Sequence, residues 1–146
     1  MSEILVNKLT GTSTAGSILV TGEGNSTTTN LQQGLAKAWI NFNGTGTAAV
    51  GDSLNLTSLT DNGTGNYTVT IANNMAAVTY VVSCESGPDN ANVNLGAWIF
   101  GVFCASGSSN APLTKTSTAV NLRTSDLGGT LRDIANGGVI HTGDLA

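Results

Sequence analysis

The chain has 146 residues, a mass of 14.7 kDa and a net charge of −4, which points to a single folding domain and leaves no basic surplus to neutralise phosphates. Its five Lys and Arg stand singly at 8, 37, 115, 123 and 132, so no nucleic-acid partner is expected. No apolar run approaches the roughly 18 residues of a membrane helix, and Met1-Ser2-Glu3 leads into a strand-like segment where a secretory leader would be basic, so neither membrane insertion nor general secretion is expected.

Gly, Ser, Thr and Asn fill 69 of the 146 positions. These residues form helices poorly, whereas Thr together with Val suits strands, so the composition predicts an all-β fold. Leu, Ile, Val and Phe make up about 24% of the chain, above the roughly 20% below which highly charged chains stay disordered. The expected architecture is an antiparallel β-sandwich or jelly-roll-like module with short helical turns and an N-terminal strand and arm. Residues 1–30 form the strand and arm; residues 31–146 form the sandwich-like domain with a C-terminal extension.

In chain order, Ser2 to Leu9 and Ile18 to Val20 read as strands around a turn, and Gly22 to Asn30 as a polar linker or arm. Asn30 followed by Leu31-Gln32-Gln33 resembles a helix cap and predicts a short helix to about Lys37, or else the lead-in to a strand. Leu35 to Phe42 is a strand, Asn43 to Gly46 a turn, Thr47 to Val50 a strand and Gly51-Asp52 a turn. Ser53 to Leu59 alternates with Leu54 and Leu56 on one face. Asp61 to Gly65 then turns into Asn66 to Ile71, where Tyr67, Val69 and Ile71 share a face opposite Thr68 and Thr70.

Further on, Val78 to Cys84 places Val78, Tyr80, Val82 and Cys84 on one side, and Glu85 to Asn94 reads as an exposed loop. Ala97 to Cys104 is apolar on both faces and needs covering twice, within a sandwich or by another subunit. Ser117 to Arg123 and Gly138 to His141 are shorter strands. Thr130 to Ala135 carries a cap and an acidic third position before Asn136-Gly137, which predicts one or two helical turns. The aromatic residues Trp39, Trp98, Tyr67 and Tyr80 are placed mostly inward.

Chemistry-bearing residues are sparse. His141 is the single histidine and no nucleophile elbow surrounds a Ser or Cys, so triad chemistry has nothing to build on. Cys84 and Cys104 lack metal-binding spacing; they read as buried thiols, with a bridge between neighbouring strands as the alternative in an oxidising compartment. Gly44-Thr45-Gly46 and Gly63-Thr64-Gly65 fit hairpin turns better than nucleotide loops. Five N-x-S/T sequons begin at Asn25, Asn43, Asn55, Asn62 and Asn66, as a chain rich in Asn, Ser and Thr generates by chance. No catalytic, cofactor-binding or metal-ligating residue is assigned, and no enzymatic activity or cofactor is expected.

The segment from Ala36 to Val82, with Trp39, Asn41-Phe42-Asn43-Gly44-Thr45-Gly46, Asp61-Asn62-Gly63-Thr64-Gly65, Tyr67-Thr68-Val69 and Tyr80, resembles a module of virion fibre and appendage proteins of tailed bacteriophages. The likeness extends loosely to Cys104, and Glu3 to Leu9 is similar to the short N-terminal strand of such proteins. Residues 105–146 depart from the pattern as a Ser/Gly/Asn-rich extension suited to attachment. The resemblance implies a non-enzymatic virion surface protein, assembled in the host cytoplasm as a homo-oligomer, a trimer by preference, against other virion proteins. A short tail fibre with host-surface glycans or proteins as targets comes first, a capsid decoration or cement protein second. A carbohydrate-binding module comes third, because it needs aromatic rings on an outer face.

Overall fold

The computed structural model describes residues 5–12, 18–21, 27–87, 99–101, 115–126 and 129–146. The chain divides into two compact units, Met1–Leu35 and Ala36–Ala146. In the first, β1 (Leu19–Thr21) pairs antiparallel with β2 (Thr28–Asn30), and the chain passes directly into one helical turn, α1 (Leu31–Gly34). The Leu31 amide donates to the Ile18 carbonyl at 2.8 Å and ties that turn to the hairpin.

Three expectations change in this unit. The polar stretch Gly22 to Asn30 ends in a strand, because Thr28 and Thr29 find partners in Thr21 and Val20. The helix stops at Gly34, short of Lys37, where glycine raises the cost of continuing and the strand-forming run that follows takes over. Leu5 to Leu9 belong to no strand, and Leu5, Val6, Leu9, Leu19 and Val20 remain exposed.

Among the described residues the second unit is all β: two four-stranded antiparallel sheets facing each other as a sandwich. The first sheet has the order β4 (Ala49–Leu54), β3 (Ala36–Asn43), β10 (Asn136–Thr142), β7 (Val81–Gly87). The second has the order β5 (Leu56–Asp61), β6 (Asn66–Ile71), β9 (Ala119–Ser125), β8 (Ile99–Gly101). The core lies between the central strands. Ile40, Phe42 and Val139 from one sheet meet Tyr67, Val69, Val120 and Leu122 from the other, and Ile134 closes one end. Strict alternation along β6 explains why Tyr67, Val69 and Ile71 are all buried.

Ser53 to Leu59 is two strands. Asn55 takes a positive φ of 57° and turns the chain from one sheet into the other, so Leu54 and Leu56 do not share a face. The Asn55 side chain holds the corner: its Oδ1 accepts from Asn73 N at 2.6 Å and its Nδ2 donates to Lys37 O at 3.0 Å. Gly51-Asp52, expected as a turn, lies inside β4. Asn41 pairs with Asp52 and Phe42 with Val50, which leaves Gly51 as the extra residue of a bulge.

Thr130 to Ala135 is not helical. Leu131 bridges to Ser125, and the Asp133 carboxylate, expected at the acidic third position of a helix, accepts from the Gly65 amide at 2.8 Å and from the Tyr67 hydroxyl at 3.0 Å. Val78 sits in an exposed turn, and β7 begins at Val81 and runs through Glu85 into what read as a loop. Of the doubly apolar segment Ala97 to Cys104, only the backbone of β8 falls within the described residues.

Candidate functional site

The two outer faces of the sandwich differ in character. On the second sheet, register places Thr60, Thr68 and Asn121 in one row and Ser58, Thr70 and Ala119 in the next. Three side chains here form a chain of bonds: Thr68 Oγ1 donates to Asn121 Oδ1 at 3.0 Å and accepts from Asn62 Nδ2 at 2.8 Å. This is the wet face that the Thr alternation foretold.

On the first sheet, register aligns Leu54, Trp39, Ile140 and Ser83 straight across all four strands. Leu54 and Ile140 are nearly half exposed, at 48% and 46%. The neighbouring row is Asp52, Asn41, Gly138 and Glu85. An apolar row thus runs beside an amide and acid row, and between them lies a groove of about 490 Å³, its floor formed by the middle of β3, β10 and β7. That volume falls in the roughly 300–1,000 Å³ of small-ligand sites.

Gly138 shapes this groove. A Cβ there would lie 2.5 Å from Glu85 Oε1 and 2.6 Å from Glu85 Cγ. The Glu85 side chain therefore folds over β10 and sets its carboxylate above the centre of the sheet, where an edge-strand side chain would otherwise extend into solvent. Glycine inside a strand often marks such a close approach. Among the described residues, no donor or cation reaches the Glu85 carboxylate, and neither the Trp39 indole N–H nor the Asn41 amide has a hydrogen-bond partner. Trp39, placed inward from the sequence, belongs to the outer face, because alternation along β3 commits Ala38, Ile40 and Phe42 to the core.

The other chemistry-bearing residues lie apart from the groove. His141 points inward from β10, fully buried, and stacks on Tyr80 with ring centroids 5.4 Å apart and planes 13° from parallel. Lys115 Nζ lies over the Tyr80 ring, 4.7 Å from its centroid, and donates to the Tyr80 carbonyl at 2.7 Å. Burial, and secondarily the Lys115 charge, push the imidazole pKa down to about 4, so the ring is neutral near pH 7. Neither ring nitrogen has a hydrogen-bond partner, and no nucleophile stands within reach of either among the described residues.

Cys84 is a free thiol whose pKa burial raises to about 11, which makes it a poor nucleophile; Cys104 lies outside the described residues. Among the described residues, no group of three His, Cys, Asp or Glu side chains could hold a metal ion, and no helix is long and apolar enough to cross a membrane. No known protein family, curated protein or solved structure matches the chain.

Proposed function

We propose that the chain is a non-enzymatic structural component of a tailed-bacteriophage particle, a short tail fibre or comparable surface appendage whose sandwich presents a binding face to the host. The observation that carries this reading is the pairing, in one chain, of a sandwich bearing an open amphipathic groove with an N-terminal unit that keeps Leu5, Leu9 and Leu19 exposed at 82%, 62% and 60%. Apolar side chains left bare to that extent support a surface for contact with copies of the chain or other particle proteins. The sandwich supplies the binding function, and the N-terminal unit supplies assembly, with a homotrimer as the expected state.

A capsid decoration protein is the second reading. It is favoured by the same exposed N-terminal residues, which a neighbouring subunit of a capsid lattice would bury equally well. Reconstruction of intact particles separates the two: density at the tail, in a few copies, supports the appendage, whereas a copy number in the hundreds on the head supports decoration. Sedimentation of the purified chain tests assembly itself. A trimer that Leu9→Asp with Leu19→Asp dissociates is expected, and a monomer at every concentration would defeat the proposal.

A further inference from the structure

We infer that the groove on the outer face of the first sheet binds a neutral saccharide, with Trp39 as the stacking platform and Glu85 and Asn41 as the hydroxyl-recognising groups; this rests on the groove being the binding site of the appendage. A pyranose ring is itself two-sided, with a face of C–H bonds and a rim of hydroxyl groups. The groove has the matching division. The row of Leu54, Trp39 and Ile140 is apolar, and the adjacent row offers a carboxylate that only accepts and an amide that donates and accepts.

Three groups with open hydrogen-bonding capacity stand on this face, with the Asn41 amide oxygen leaning toward β4, 2.9 Å from where a Cβ at Gly51 would lie. The Glu85 carboxylate is drawn over Gly138, and the Trp39 indole N–H and Asn41 amide are without partners among the described residues. On the opposite outer face, Thr68 bonds to both Asn121 and Asn62, which spends part of the polar capacity there. Unspent donors and acceptors beside an aromatic ring identify a polyhydroxylated ligand over a purely apolar one.

Charge selects within that class. Glu85 is the charged side chain in the groove lining and Asp52 lies in the same row, and the lining holds no Lys or Arg, so a sialylated or sulfated sugar meets repulsion there. The same charges disfavour a second copy of the chain on this face, since two rows carrying Asp52 and Glu85 would be brought together. Strand addition at the opposite edge of this sheet is hindered too, because the Gly51 bulge distorts β4.

The test uses the full chain carrying Trp98→Phe, so that Trp39 is the reporting fluorophore. The expected results are acrylamide quenching typical of a partly open indole and binding to neutral but not sialylated members of a glycan array. Titration with the neutral oligosaccharide giving the strongest signal should change Trp39 emission saturably. Glu85→Gln, with an unchanged melting temperature, and the matching Trp39→Phe chain followed by calorimetry should each weaken binding about tenfold.

If Trp39 is quenched but no neutral saccharide binds, or binding survives both substitutions unchanged, the saccharide inference is overturned while the groove stands as a site for another ligand. If Trp39 is shielded from acrylamide, both the inference and the site fall. In that case, recovery of quenching in Ile140→Asp with a smaller sedimentation coefficient identifies a second copy as the occupant, and shielding without a change in size identifies the chain itself.

Discussion

Removing the Tyr67 hydroxyl tests how the sandwich is closed at one end. Tyr67 is fully buried, packs edge-on against Phe42 with ring centroids 5.1 Å apart, and places its hydroxyl 3.0 Å from Asp133 Oδ1 and 3.2 Å from the Gly44 carbonyl. Burial, reinforced by the Asp133 carboxylate, pushes the phenol pKa upward, so the group stays protonated and serves as a donor. Tyr67→Phe keeps the ring and its packing but removes a hydrogen bond to a charged acceptor, for which a net loss of about 1.5–3 kcal/mol is typical.

Asp133 retains the Gly65 amide at 2.8 Å, which places the expected loss near the middle of that range, about 2 kcal/mol. For a cooperative unit of this size, that lowers the melting temperature by roughly 10 °C. Urea unfolding followed by circular dichroism measures the free energy, and a double-mutant cycle with Asp133→Asn isolates the pair. A loss under about 0.5 kcal/mol, or additive single mutants, would refute the claim that this contact ties the 129–135 segment to the core.

Other positions give sharper contrasts. Gly65→Ala would combine a φ of +62° with a Cβ 2.5 Å from the Thr124 carbonyl, whereas Gly63→Ala at φ +110° meets nothing within 4 Å; thermal denaturation should show the first destabilised by about 3 kcal/mol or more and the second by about 1. Asn55→Ala loses both the corner hydrogen bonds and the ease of a positive φ, so it should unfold at lower urea than Asn55→Gly, by about 1 kcal/mol. For His141 the folded pKa of about 4 lies below the ordinary value of 6.5, so the unfolded chain binds the proton more readily. Its contribution is therefore complete above pH 6.5 and falls away as pH drops toward 4, by about 3 kcal/mol in all. His141→Phe, which preserves the stack on Tyr80, should flatten the stability profile across that window, and an unchanged slope would show that other groups set it.

The parts of this fold written in local periodicity were readable in advance. Asn66 to Ile71 needed only its alternation, because one face is buried and the other wet. Sequence could not show that the same alternation through Ser53 to Leu59 crosses a corner, since a single left-handed Asn55 redirects the chain without disturbing the pattern. Thr130 to Ala135 carries a sound helix cap, yet Asp133 bonds to Gly65, 68 residues away, and that tertiary partner outweighs a local preference of a few tenths to about 2 kcal/mol.

The groove was hidden for a related reason. Along β3, Trp39 falls in phase with Lys37, Asn41 and Asn43 and out of phase with Ala38, Ile40 and Phe42, but the size of an indole made it read as core against that pattern. A second signal was available: Gly138 inside a strand, which allows Glu85 to cross the sheet. Its use could not be inferred without the register that sets the two residues opposite each other.

The central claim, that the outer face of the first sheet is a binding site for neutral sugars, is tested most directly by nuclear magnetic resonance of the isotope-labelled full chain during titration with the array-selected oligosaccharide. The predicted result is a single cluster of shifted signals comprising the Trp39 indole N–H, the Asn41 side-chain amide and the backbone amides of Ser83 to Glu85 and Gly138 to Ile140. Shifts centred on the Thr-rich face of the second sheet, or none at saturating sugar, would contradict it.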